Sequence, residues 1–203
     1  MQLARAEIAY LEASSLVRHE DRQVRRHKLE GALSDTWQSY CEFVRNVCIN
    51  SAIGCITSTG AAIAPSINPA TWQRASHIAI RGADKKPPHP TDVNQIKRRE
   101  PTWGDTKKII DIVNALAPGN ASNLISYFGG SLYGPSHCQL VRNACAHKND
   151  QKLQEVRALS VLYLARPIAV PTDCLFWGDT VSGRPAFISW IDDMRAIATE
   201  TIK

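Results

Sequence analysis

An all-α fold, a single helical bundle of about five to seven helices over residues 1–203, is what this sequence predicts. Three observations carry the prediction. Apolar residues recur at helical spacing in almost every periodic segment. Gly and Pro punctuate those segments at Gly31, Pro65, Pro118-Gly119, Gly129-Gly130, Pro167 and Pro185. A chain of 203 residues is also long enough to bury one good core.

Taken in order, the first helix is expected over residues 2–29, with Leu3, Ala6, Tyr10, Ala13, Val17 and Val24 at heptad-like spacing and Gly31 as its stop. Its second half, with Arg18, Arg22, Arg25, Arg26 and Lys28, is strongly basic and offers a charged surface. Ser34 or Asp35 then caps a second helix to about residue 53, with Trp37, Tyr40, Cys41, Val44, Cys48, Ala52 and Cys55 along one stripe. The small apolar run 56–64 continues that helix to Pro65. Asp105 caps a helix through residue 117, and Asn120 caps a short one to residue 128. Further helices are expected over 136–148 and 151–166, the latter stopped by Pro167. Residues 168–183 read as a loop or small hairpin, and Pro185 opens a last helix with Phe187, Trp190, Ile191, Met194 and Ile197 in helical period.

Residues 66–101 interrupt this pattern as a long, loop-rich, Pro-rich insertion. From Arg81 to Arg99 it carries Arg81, Lys85, Lys86, Lys97, Arg98 and Arg99 against Asp84 and Asp92, so most of the net charge of +5 is expected here. Such a segment suits phosphate contact. Trp72 and Trp103 flank it, either as base-stacking platforms or as packed core residues.

Several site types are excluded. The chain has no GxxxxGK[ST] run and no GxSxG elbow, and no strand is expected before the Gly129–Gly134 stretch that a dinucleotide site would need. Cys41, Cys48 and Cys55 recur every seven residues, about 10.5 Å apart along a helix, so they cannot meet on one zinc. Cys138 and Cys145 repeat the spacing, and no CxxC pair exists. Buried thiols in a reducing compartment are the expectation. His77 and His89 read as loop residues without partners at metal-ligand spacing, and Asp192-Asp193 makes no metal cluster. No metal and no cofactor are expected. No run of 18 apolar residues suggests a membrane span, and no signal architecture opens the chain, so a cytoplasmic location is expected.

Within the segment expected as a helix over 136–148 lies Arg142-Asn143-Ala144-Cys145-Ala146-His147. With Arg142 as zero at 100° per residue, Cys138, Val141 and Cys145 fall between about −40° and −100°, an apolar stripe suited to the core. Asn143 and His147 fall between about 100° and 140°, an i, i+4 pair that can touch. Arg142 stands about 140° from His147, so it joins them only through its long side chain, a distorted last turn or a second subunit. A His in a last helical turn also answers the helix dipole, and an Arg at a helix edge often makes an ordinary ion pair.

This motif resembles that of the HEPN superfamily (higher eukaryotes and prokaryotes nucleotide-binding domains), in which an Arg followed by a polar residue precedes a His by four to six positions. A second such spacing, Arg22 to His27 with Gln23 after the Arg, lies in a stretch charged on every side. The late amphipathic context of Arg142–His147 is the one the family shows. The resemblance implies a HEPN-like bundle, a homodimer with a composite site at the two-fold interface, and metal-independent endoribonuclease activity. It also implies a toxin or antiviral defence setting, with an antitoxin or another defence-system protein as partner.

In that chemistry RNA supplies its own nucleophile, the 2′-OH. His147 takes or gives the proton, Arg142 offers a permanently charged fork to phosphate oxygens, and Asn143 orients the imidazole or holds a phosphate oxygen. The products would be a 2′,3′-cyclic phosphate and a 5′-OH. Further RNA contacts are expected from Arg45, an extra cation on the second helix, from Lys148 directly after His147, and from Lys85, Lys86, Lys97, Arg98 and Arg99 of the insertion. For Arg45 a surface ion pair is the rival expectation. The rival from another class is a non-catalytic RNA-binding or dimerisation module.

Overall fold

The computed structural model of the chain describes residues 2–16, 18, 21–91 and 99–203. The described residues are mostly helical: α1 (Gln2–Ser15), α2 (Arg22–Ile53), α3 (Trp72–Ala83), α4 (Thr106–Leu116), α5 (Ala121–Phe128), α6 (Gly134–His147), α7 (Asp150–Ala158) and α8 (Ala186–Thr201). Two short antiparallel ribbons accompany them, β1 (Cys55–Ile56) with β2 (Ala62–Ile63) and β3 (Tyr163–Leu164) with β4 (Gly178–Asp179). The chain gathers into two compact units. The first holds residues up to Tyr40 with Leu132–Met194, the second Cys41–Ser131 with Arg195–Lys203.

In the first unit, the break expected at Gly31 falls earlier. α1 ends at Ser15 and α2 runs without interruption through Gly31, Ser34 and Asp35. The Ser14 and Ser15 hydroxyls each donate to a carbonyl of the preceding turn, Tyr10 O and Glu12 O, at 2.7 Å, so they compete with the backbone ladder where α1 stops. A helix-interior Gly costs about 1 kcal/mol. Leu29, Ala32 and Leu33 are all buried around Gly31, and burying one such leucine offsets that cost. Val24, expected on the core stripe, is exposed.

The core of this unit is aromatic. Tyr10 of α1 stacks on Phe176 and lies against Phe187 of α8, with ring centroids 5.2 Å away in both cases. Cys138 and Val141 of α6 are fully buried, and the Cys138 thiol donates to Leu33 O at 3.9 Å. α6 starts at a close backbone approach. A Cβ on Gly134 would stand 2.6 Å from Trp190 O, so only glycine fits, and its N–H donates to Asp193 Oδ2 at 2.9 Å.

The helix expected over 151–166 is shorter. After α7 come a 3-10 turn, Leu159–Leu162, and β3, which pairs with β4 in the register Tyr163↔Asp179. Tyr163 is held there by two polar partners. The Trp190 indole, a donor only, gives its N–H to Tyr163 Oη at 2.8 Å. The tyrosine proton is therefore left for Nδ1 of His137, 2.6 Å away. Burial pushes the His137 pKa down to about 4, so the ring is neutral at pH 7 with its hydrogen on Nε2.

In the second unit, α3 packs on α4 and α4 on α5. The segment 56–64 is not a continuation of α2 but the β1–β2 ribbon, in register Cys55↔Ile63. Gly54 makes the switch: its φ of +96° is left-handed, and a Cβ there would lie 3.0 Å from the Pro65 ring. Cys55 therefore leaves the helical stripe of Cys41 and Cys48.

Helix α3 lies inside the stretch expected as loop-rich. Thr71 caps it, its hydroxyl accepting from Arg74 N at 3.3 Å, and Ala75, Ile78 and Ala79 are buried. His77, expected in a loop, is a buried residue of this helix whose Nε2 accepts from His89 N at 3.2 Å. Asp105 caps α4 as expected, accepting from Lys107 N and Lys108 N. Asn120 stands at the start of α5 without a side-chain cap and gives its amide instead to Ser51 Oγ at 3.2 Å.

Candidate functional site

The residues at 142–147 occupy the last two turns of α6, in the first unit. Pro135 sits in the opening turn of that helix, where its missing N–H costs nothing. Lys148 closes it in the left-handed region, φ +45°, with its N–H on Ala144 O at 3.0 Å. Asn149 then caps α7, its Oδ1 accepting from Lys152 N at 2.8 Å. The motif is thus bracketed by an unusual C-cap and an immediate new N-cap.

The faces divide as the 100° period requires. Cys138 and Val141 are buried, Cys145 is 7% exposed, Arg142 and Asn143 are half-buried, and His147 is exposed. Arg142 reaches round the helix: its Nη1 donates to Oδ1 of Asn143 at 3.3 Å. With the amide oxygen turned to the guanidinium, the Asn143 NH₂ is left to face an acceptor. Among the described residues no side chain hydrogen-bonds to the His147 imidazole. The cluster therefore presents a fixed cation, an amide donor and, one turn on, an open imidazole.

The remaining sequence candidates divide between the units. Lys148 is exposed beside His147. Arg45, Lys85, Lys86 and Arg99 belong to the second unit. The Arg45 guanidinium is engaged twice by Glu100, Nε to Oε2 at 2.5 Å and Nη2 to Oε1 at 2.8 Å. Ser76 Oγ and Trp103 Nε1 donate to the same carboxylate at 2.5 and 2.9 Å. Burial alone would raise the Glu100 pKa, but these donors outweigh it and hold the carboxyl below its ordinary value. Trp103 is accordingly a core residue, 5% exposed, whereas Trp72 is 38% exposed. Lys85 and Lys86 lie near Asp111 and Asp84 at 3.7 and 3.6 Å, and Arg99 is exposed. Lys97 and Arg98 lie outside the described residues.

All six cysteines are free thiols. Cys48, Cys138, Cys145 and Cys174 are buried, and burial pushes Cys48 and Cys145 up to about 12, so they stay protonated. Among the described residues, no group of three or more His, Cys, Asp or Glu is placed to hold a metal ion, and no described helix is long and apolar enough to cross a membrane.

The stretch expected in the sequence as a charged surface forms one wall of a cavity. The basic start of α2, including Arg22, Gln23 and His27, lines a cleft of about 1000 Å³ in the first unit, and Lys148 lines it too. The basic run was legible in the sequence, but its closure with Lys148 into a cleft was not. No family model, curated protein or solved structure matches this chain.

Proposed function

We propose that this chain is a HEPN-like, metal-independent endoribonuclease. The observation that carries the reading is the Arg142–Asn143 contact one helical turn before the exposed His147. His147 withdraws the proton of an RNA 2′-OH, whose oxygen attacks the adjacent phosphorus. Arg142 and the Asn143 NH₂ hold the non-bridging oxygens as charge builds on them. The 5′ oxygen departs with a proton from a second imidazole, His147 of a second copy of the chain. The P–O5′ bond breaks as the P–O2′ bond forms, leaving a 2′,3′-cyclic phosphate and a 5′-OH. DNA, lacking the hydroxyl, is not cut. A toxin or antiviral defence role, restrained by a partner protein, fits a nuclease that needs no cofactor.

The test is incubation of purified wild-type and His147→Ala protein with mixed RNA in EDTA, followed by end-group analysis. Cyclic phosphate ends from wild type alone are expected, with Arg142→Ala equally silent. Salt-dependent RNA binding that survives both changes, without cleavage by wild type, identifies a binding module instead. A chain that sediments as a monomer across the micromolar range overturns the shared two-copy site.

A further inference from the structure

The cleft beside Lys148 carries an excess of positive charge that the protein's own carboxylates answer only in part. α2 opens with Arg22, Arg25 and Arg26 and no acidic residue in its first turn, so cations crowd the positive end of a 32-residue helix. Arg26 is answered by Glu30, Nε to Oε1 at 2.8 Å. Asp173 is the carboxylate among the lining residues, its Oδ2 accepting from Ala169 N at 2.9 Å and Val170 N at 3.0 Å, and its single charge is outnumbered by those of Arg22, Arg25 and Lys148. Arg25 lies over the Phe176 ring, 4.5 Å from its centroid, and its Nε is buried without a hydrogen-bond partner among the described residues. Arg22 and Lys148, both exposed, have no carboxylate partner among the described residues.

Two separate stretches of chain, more than a hundred residues apart, thus bring an excess of cations to one cavity. Its volume lies at the upper end of the range for ligand sites. The ligand it suits is anionic and extended. No Phe, Tyr or Trp lines the cleft, so the His27 ring is the one stacking surface it offers a base. Arg22 and Arg25 are three residues apart, about 4.5 Å along the helix, and Lys148 adds a third cation from another stretch of chain, which suits successive charges on a strand better than a single small anion.

We infer that this cleft is a backbone clamp for single-stranded RNA, with Arg22, Arg25 and Lys148 contacting its phosphates. The inference rests on the RNA-cleaving reading, because Lys148 follows His147 and the clamp so delivers the strand to the end of α6. Its contacts are to phosphodiesters, and binding through it is indifferent to base sequence.

The experiment is fluorescence anisotropy of a labelled twelve-nucleotide RNA with full-length His147→Ala protein, against the same protein carrying Arg22→Gln and Lys148→Gly. Glycine keeps the left-handed backbone at 148, and both residues are exposed, so the fold is retained. Lys107→Gln with Lys108→Gln, exposed on α4, is the control of equal charge loss. The clamp variant should bind at least about tenfold more weakly, with the slope of log K against log salt reduced by about 1.4, or 0.7 for each lost contact. The control should bind as the parent does. Clamp and control variants that bind alike overturn the inference, as does competition by millimolar inorganic phosphate without any change in RNA salt slope. Cleavage by wild-type protein in EDTA separates the two readings. If wild type cuts RNA and the double change in that background does not weaken cutting at low RNA concentration, the clamp fails alone. If RNA binds through these residues and wild type cuts nothing, the nuclease reading fails alone.

Discussion

Glu100 is the residue whose loss the second unit should feel most. Its side chain is 6% exposed and gathers four hydrogen bonds, two from the Arg45 guanidinium, one from Ser76 and one from Trp103. In Glu100→Gln one carbonyl oxygen can keep at most two of those donors, and of the groups around the new NH₂ only the Ser76 hydroxyl can accept, the Arg45 and Trp103 nitrogens being donors only. Hydrogen bonds to charged groups are worth about 1.5–3 kcal/mol each. Breaking a buried pair costs about 3–5 kcal/mol, and the 21% exposure of Arg45 trims that figure. The expected loss is about 3 kcal/mol, which for a chain of this length is a fall in Tm of about 6–12 °C. The pH dependence gives an independent check. The folded carboxyl is held below its unfolded value, so its stabilisation is complete above about pH 4.3 and is lost as pH falls through the folded pKa. Thermal scans of wild type and variant should therefore converge as pH drops from 7 towards 3. A difference under about 1 kcal/mol at pH 7, or a gap that stays constant on acidification, would refute the reasoning.

Other perturbations give equally definite outcomes. Gly31→Ala replaces an exposed helix-interior glycine whose Cβ would meet nothing within 4 Å, so chemical denaturation should show a gain of about 0.5–1 kcal/mol. Gly134→Ala should cost more than about 2 kcal/mol, because the Cβ would strike the Trp190 carbonyl; an unchanged urea midpoint would contradict this. His147→Ala removes an exposed ring and should shift Tm by less than about 0.5 kcal/mol equivalent while abolishing cleavage; a large destabilisation would make His147 a structural residue. Tyr163→Phe strands both His137 Nδ1 and Trp190 Nε1 and should cost about 1–3 kcal/mol in a thermal scan.

The elements that were legible in the sequence are those whose signals are local. Asp105 caps α4, Ala117 ends the last turn of α4 just before Pro118-Gly119, and Pro185 precedes α8, whose Phe187, Trp190, Ile191, Met194 and Ile197 are buried. The misplaced boundaries depended on tertiary weight. At Gly31 buried neighbours overrode a weak helix breaker, while the Ser14 and Ser15 hydroxyls ended α1 where no Gly or Pro announced it. Helix α3 was hidden because it buries Arg74, Ser76 and His77, polar letters that blur an apolar period. All three find partners further along the chain: Ser76 on Glu100, Arg74, through Nη1, on His89 O at 2.5 Å, and His77 on His89 N. At the candidate site the spacing of Asn143 and His147 was legible from helical geometry. The cleft was not, since it exists only when Lys148 and residues 169–173 return to the start of α2.

The start of α6 bears on the site from a distance. Gly134 is pinned against the Trp190 backbone and tied to Asp193, whereas the other end of the helix finishes at an exposed imidazole. The helix runs about 20 Å from this clamp to His147, with Cys138, Val141, Ala144 and Cys145 buried along its length. A tilt of about 5° at the clamp would swing the tip by roughly 2 Å, and a displacement of about 1 Å in a reacting group can cost a hundredfold in rate. On the proposed nuclease reading, residues at the start of α6 would therefore set the aim of His147, and a search for activity-altering changes should reach Asp193 and Trp190 as well as the motif itself.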